Sequence, residues 1–208
     1  MIHEVDEALR TVVTDRALPS GEVRVAFEAP NRDWAAQRNT PTVNAYLYDI
    51  REDVTRRERG AFAVHGPDGR VVARRQPPRF FRLSYLVTAW TKRPEDEHRL
   101  LSAVLACLLR HEVLPAEALP PGGVLAELGL AVPVTAAVPP PESRSIADIW
   151  SALGGELKPS LDVVVTAPMP VSPDYEVGPA VTDSIAVTVG DIEGRLPDPP
   201  LRTSRFGK

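Results

Sequence analysis

Proline occupies 22 of the 208 positions in this chain. Its ring fixes φ and removes a backbone donor, so it stops helices and is kept out of central strands. Much of the chain must therefore run as turns, extended segments or linkers, with regular elements fitted between them. Hydrophobic residues make up 43%, enough for an ordinary buried core, but aromatic residues only 6%, so that core is mainly aliphatic.

Between the prolines, two periodicities stand out. Ile2, Val5, Leu9, Val12 and Val13 recur every three or four residues, an apolar helical stripe, with Glu4, Asp6 and Glu7 near the favoured helix start. Pro19-Ser20-Gly21 stops it. The clearest helix spans about Pro94 to Val113, with Pro94 at its first position, Glu95, Asp96 and Glu97 in the first turn, and Leu101, Val104, Leu105 and Leu108 on the buried face. A short helix centred on Trp34 is expected between Pro30 and Asn39. Ser145 with Asp148 resembles a capping pair for another through Trp150 and Leu153, closed by Gly154-Gly155.

The strand period of two appears at Val23, Val25 and Phe27, and more strongly at Thr42–Ile50. There Val43, Ala45, Leu47 and Asp49 are expected on one face, and Asn44, Tyr46, Tyr48 and Ile50 on the other. Gly66-Pro67-Asp68-Gly69 predicts a hairpin joining a segment near Phe62 to a strand at Arg70–Arg75. Phe80–Trp90 is the longest strand, Leu161–Ala167 another, with further segments near Leu125–Leu128 and Val132–Val138. Strands 42–50, 70–75 and 80–90 follow one another through short links, which favours antiparallel pairing. The expected fold class is α+β: a single, mostly antiparallel mixed sheet with helices against one face, plus an extended C-terminal arm. The expected division is a domain at 1–168 and a Pro-rich arm at 169–208, whose last residues read as disordered.

The formal charge of −4 argues against general polyanion binding. MIHEVDEALR carries acids and no long apolar run, so it is not expected to act as a signal peptide. No apolar run reaches the roughly 18 residues a membrane span needs. The single Cys107 has no partner for an internal disulfide, and together these features favour a cytoplasmic protein.

Motifs for chemistry are missing from the sequence: no phosphate loop, no G-x-G-x-x-G, no nucleophile elbow. His3, His65, His98 and His111 are scattered, without a metal-like spacing. Cys107, among Leu105, Leu108 and Leu109, reads as a small core residue. Asp49, Glu52 and Asp53 could mimic an acid pair, but Arg51, Arg56 and Arg57 surround them, which fits a solvated ion-pair cluster better. Neither an enzyme, a metal site nor a cofactor is expected.

One asymmetry is informative. Residues 51–82 hold nine arginines and four acids, a net of +5, which leaves −9 for the rest of a chain whose total is −4. All nine cations are arginine, the residue that forks onto carboxylates and is enriched at interfaces. Two readings stay open: a solvated hairpin with local ion pairs, or a basic strip that docks on an acidic protein neighbour. The strip's candidate interface residues are Arg51, Arg56, Arg57, Arg59, Arg74, Arg75 and Arg79. A nucleic-acid-binding module is the weaker alternative, because no aromatic interleaving accompanies the arginines. In the arm, Ile185, Val187 and Val189 alternate as one short strand. It either folds back on its own sheet or adds to a neighbour's sheet edge.

Three blocks, NTPTVNAYLYDIRED (39–53), RRQPPRFFRLSYLVTAWTKRPEDEHRLLSAVLACLLRH (74–111) and SIADIWSALGGELKPSLDVVVTAP (145–168), resemble the cap, or tail terminator, proteins of phage-tail-like contractile injection systems of the extracellular type found in actinobacterial gene clusters. The resemblance covers residues 1 to about 168 and lies in extended similarity rather than a catalytic signature. It implies a sixfold homomeric ring on the last layer of the inner tube protein, contacting the last ring of sheath protein. It implies no cofactor and no chemistry.

Overall fold

The computed structural model describes residues 1–18, 22–139, 145–171 and 173–178. They fall into two compact units. The larger comprises Met1–Phe62 and Gln76–Pro173; the smaller comprises Ala63–Arg75 and the described residues from Asp174 on.

The larger unit is built on a five-stranded sheet. Strands β1 (Arg24–Ala26), β2 (Thr42–Glu52), β5 (Arg79–Trp90), β7 (Ser160–Met169) and β6 (Val134–Ala136) lie in that spatial order. Only the β1–β2 pair is parallel; the other pairs are antiparallel. Helices α1 (Ile2–Arg16), α2 (Arg32–Ala36), α3 (Pro94–Leu108), α4 (Val124–Leu128) and α5 (Ile146–Ala152) complete it, so the class is α+β.

The core forms where the two predicted helical stripes meet the sheet. Val5, Leu9 and Val12 of α1 and Val104 and Leu108 of α3 join Val43, Ala45, Leu83, Tyr85, Val87, Val163 and Val165 in one buried cluster. Burying each such Val or Leu stabilises the fold by roughly 1.5–3 kcal/mol before entropy is counted. α3 ends at Leu108, short of the expected Val113. The reason lies beyond it: Leu114 N donates to Val132 O at 2.9 Å, and Glu112 O accepts from Val134 N at 3.0 Å. Those groups serve the sheet and cannot also serve a helix.

Helices cover both faces, not one. The second face starts with Thr42, Asn44, Thr88 and Trp90, and there Trp34 of α2 and Trp150 of α5 flank Trp90, with ring centroids 5.3 and 6.3 Å from it. Asn31 caps α2 by accepting Trp34 N at 2.8 Å, and Ser145 caps α5 by accepting Asp148 N at 3.3 Å.

The alternation along β2 holds only as far as Leu47. Leu47 lies opposite Tyr85 but Asp49 lies opposite Ser84, so Tyr48 is an extra residue, a β-bulge. A single inserted residue reverses which face the following side chains take. Asp49 therefore joins the face of Tyr46, and Ile50 moves to the face of Leu83. Ile50 is 48% exposed there, although Leu83, opposite it, is buried.

The predicted hairpin exists, but not in this sheet. Both sides of β5 are taken, by β2 and β7, and Pro77-Pro78 separates it from the preceding strand. The smaller unit instead carries its own sheet, in the order β3 (Phe62–His65), β4 (Val71–Arg75), β8 (Tyr175–Glu176). Its turn closes with Gly66 N to Arg70 O at 2.8 Å, and Gly69 takes φ +77°, a left-handed value that suits glycine. β8 runs antiparallel to β4, pairing Ala73 with Glu176 and Arg74 with Tyr175. No helix among the described residues is long and apolar enough to cross a membrane.

Candidate protein interface

The arginine strip is distributed over both units. In the larger unit it gathers where β2 ends. Asp53 caps a single 3-10 turn, Val54–Arg56, by accepting Thr55 N at 3.2 Å and Thr55 Oγ1 at 2.6 Å. That turn reverses the chain and brings Arg57 back onto Glu52, where Nε and Nη2 donate to the two carboxylate oxygens at 2.9 and 2.5 Å. Arg79 reaches the same carboxylate from the start of β5 at 3.8 Å. The fork from Arg57 holds the Glu52 carboxyl below the usual range, and the same bond raises the Arg57 guanidinium. Arg56 lies 3.8 Å from Asp53 and stacks its guanidinium 5.3 Å from the Phe80 ring centre. Arg51 lies 3.3 Å from Asp49.

In the smaller unit, Arg75 donates from Nε and Nη2 to Asp174 at 2.6 and 2.8 Å. This fork lowers the Asp174 pKa and raises that of Arg75. Arg70 lies 3.7 Å from Asp68. Arg59, Arg74 and Arg82 have no carboxylate within ion-pair distance among the described residues.

Most of these cations thus carry a neighbouring acid, in pairs whose guanidiniums are open to solvent and which add little stability. Asp49, Glu52 and Asp53 each sit against an arginine rather than against one another. What remains is a basic end of the large sheet and a basic hairpin. Ile185, Val187 and Val189 lie outside the described residues.

The side chains weighed for chemistry are placed apart. His3, His65 and His98 are exposed on different elements, and His111 is half-buried, with Nε2 3.2 Å from Arg16 Nη1. Cys107 is buried, its Sγ 3.7 Å from Val12 O, and burial raises its thiol pKa, which disfavours the reactive thiolate. Among the described residues no three His, Cys, Asp or Glu side chains are placed to hold a metal. A void of about 10 Å³ between α1, α3 and the sheet is lined by apolar side chains such as Leu9, Val43, Val104 and Val163.

Three buried polar arrangements escaped sequence reasoning. Glu4, only 3% exposed, accepts Leu125 N at 2.9 Å and lies 2.8 Å from the Met1 amine. Its position four residues before Ala8 and eight before Val12, on the apolar stripe of α1, is the signal that points to it. Lys158 donates to both oxygens of Glu97 at 2.7 and 2.8 Å and sits 4.5 Å from the Trp90 ring centre. The Tyr85 hydroxyl, whose ring is buried, donates to Asp6 at 2.7 Å.

The chain is thus an α+β domain whose buried polar groups brace its own helices and whose exposed cations lie towards strand ends. The family model for the Pvc16 N-terminal domain matches residues 4–183, and the chain belongs to that family. No curated protein matches it. Among solved structures it is similar to the PVC sheath/tube terminator of an extracellular contractile injection system in its extended state, with 20% identity, a TM-score of 0.64, and coverage of 91% of this chain and 64% of that one. It is also similar to the tube-terminating cap of the anti-feeding prophage, with 23% identity, a TM-score of 0.60, and coverage of 88% and 60%. The chain therefore spans a little under two thirds of the length of either structure, and the likeness is one of fold.

Proposed function

We propose that this protein is a non-catalytic cap of a contractile injection system. It ends the inner tube and anchors the sheath, as a sixfold ring assembled in the cytoplasm. The observation that carries the reading is the family match across residues 4–183, reinforced by fold likeness to two proteins described as tube terminators. The partners are further copies of the chain, the tube protein and the sheath protein. Arg51, Arg56, Arg57, Arg59, Arg74, Arg75 and Arg79 supply one side of the ring contact or the tube-facing surface. The arm from 169 to 208 reaches the sheath through Ile185, Val187 and Val189.

Polymerising the tube protein with and without the cap tests this. Capped tubes stop growing and show a terminal collar in negative stain. Tubes of unlimited length in the presence of the folded protein overturn the proposal. Replacing Arg74, Arg75 and Arg79 with Glu is expected to abolish ring formation or tube binding. Deleting 170–208 is expected to leave capped tubes with a loosely held sheath; normal contraction would count against the role given to the arm.

A nucleic-acid role for residues 51–82 is less well supported. Arg51, Arg56, Arg57 and Arg75 lie against Asp49, Asp53, Glu52 and Asp174, which would repel phosphates. Strongly salt-dependent binding to DNA or RNA would revive it.

A further inference from the structure

We propose that the small sheet of one copy docks on the outer edge of the next copy's large sheet, with Arg74 meeting Glu112. The inference rests on the ring reading above and assigns its head-to-tail contact.

The two faces of the small sheet differ. On one face Ala73 is buried and Arg75 forks onto Asp174, which leaves Val71, 41% exposed, as the open apolar side chain of β4 there. On the opposite face, Arg74 pairs with Tyr175, and Val177 N donates to Val72 O at 3.2 Å, which aligns Val72 with Val177. Val72, Tyr175 and Val177 there are 48%, 51% and 41% exposed. Arg74, between them, has no carboxylate within ion-pair distance among the described residues. Strands of five and two residues have little stability of their own, and an apolar face left open this way gains by burial against another surface.

The complementary surface lies in the large unit. Past α3, the bonds Leu114 N–Val132 O and Val134 N–Glu112 O bracket the pair Val113 and Pro133. In this antiparallel pattern the N–H and C=O of Val113 point away from Pro133, outward from the sheet edge. Val113 is 42% exposed; Leu109, four residues before it, is 67% exposed, and Leu130, three residues before Pro133, is 40% exposed. Glu112 is exposed and has no cation within ion-pair distance among the described residues. One surface offers apolar side chains and an unmatched guanidinium; the other offers apolar side chains, an unmatched carboxylate and open backbone groups. A closed ring needs two unlike surfaces that meet head to tail, and these two are unlike and complementary in charge.

The test uses the full chain, with sedimentation velocity and negative stain in the presence of tube protein, and circular dichroism to verify folding. Arg74→Glu and Glu112→Arg should each weaken ring assembly by about tenfold or more, and the pair combined should restore it. Independently, a chain carrying Val72→Cys and Val113→Cys should oxidise to a ladder of crosslinked copies, which neither single cysteine gives. Rings that survive either charge reversal overturn the contact, as does a double reversal that folds but restores nothing. Rings that persist while Arg74→Glu loses the tube assign this face to the tube protein and also overturn it. In those cases the ring itself stands. A wild-type chain that stays monomeric beside the tube protein ends the ring reading, and this contact with it.

Discussion

The carboxylate of Glu4, in the first turn of α1, accepts the backbone amide of Leu125 at 2.9 Å and so caps a helix 121 residues away in sequence. The N-cap position of α4 is Gly123, which has no side chain to offer. A Cβ built on Gly123 would stand 2.6 Å from the same Glu4 oxygen. The missing side chain of one residue is thus the space used by the other.

Gly123→Ala should therefore displace Glu4 and cost about 1–3 kcal/mol, the range for a buried group losing its partner. Glu4→Ala should cost a similar amount. The double variant should fall well short of the sum, because both changes break one contact. Chemical denaturation of the four proteins checks this, and additive losses would refute the shared contact.

Glu4 also sets an acid limit. Burial pushes its carboxyl up, but bonds from the Leu125 and Val124 amides and the Met1 amine outweigh this and hold it below the usual value. A carboxyl depressed in the folded state contributes stability that is full above its unfolded pKa of about 4.3 and lost as pH falls through the folded value. Glu4→Gln should lose most relative to wild type at neutral pH and least in strong acid, measured as the difference in Tm across that range.

Asp6 runs the other way. Burial raises its pKa, opposed by the Tyr85 hydroxyl and by Arg10 and His3. Its protonated form is the one the fold favours, so its contribution is present below the unfolded pKa and lost as pH rises through the folded one. Asp6→Asn keeps an acceptor for Tyr85 and removes the disfavoured charge. It should raise Tm at pH 7 and give no gain at pH 3; a loss at both values would contradict the assignment.

Lys158→Met should expose the cost of an unpaired Glu97. Both side chains are mostly buried, at 23% and 12% exposed, and Glu97 also accepts Thr91 N at 3.2 Å. Removing one partner of such a pair costs about 3 kcal/mol. Trp90 fluorescence should shift with it, because the Lys158 ammonium lies over that ring. Adding Glu97→Gln should recover much of the loss.

Breaking the Arg57–Glu52 fork should cost far less than Lys158→Met. Arg57 is 45% exposed even though Glu52 is only 18% exposed, so solvent screens the pair and Glu52→Gln should change Tm little at physiological salt, despite the short contacts. A marked drop would mean the fork braces the turn at Val54–Arg56.

What could be read from residue order was whatever repeats locally. The stripe of Val5, Leu9 and Val12, the Pro94 start with its acids, and the long alternations at 42–50 and 80–90 each report a backbone period, and each became the element expected. The turn glycines and the Ser145 cap were legible for the same reason: their chemistry acts within a few residues. The long blocks that resemble contractile-system caps pointed to the family that the match over 4–183 then gave.

Tertiary structure decided everything that depends on competition between distant segments. The bulge at Tyr48 exchanges the faces of Asp49 and Ile50, and nothing in the alternation announces one extra residue. The hairpin at 62–75 left the main sheet because β2 and β7 had already filled both sides of β5, and a strand has only two sides. Trp34, Trp90 and Trp150 come from three elements and meet only when those elements pack. Glu4 looks like an ordinary first-turn acid until α4 arrives with an amide and no cap of its own. Periodicity encodes the direction in which a side chain leaves its own backbone; what it meets there is fixed by the rest of the fold.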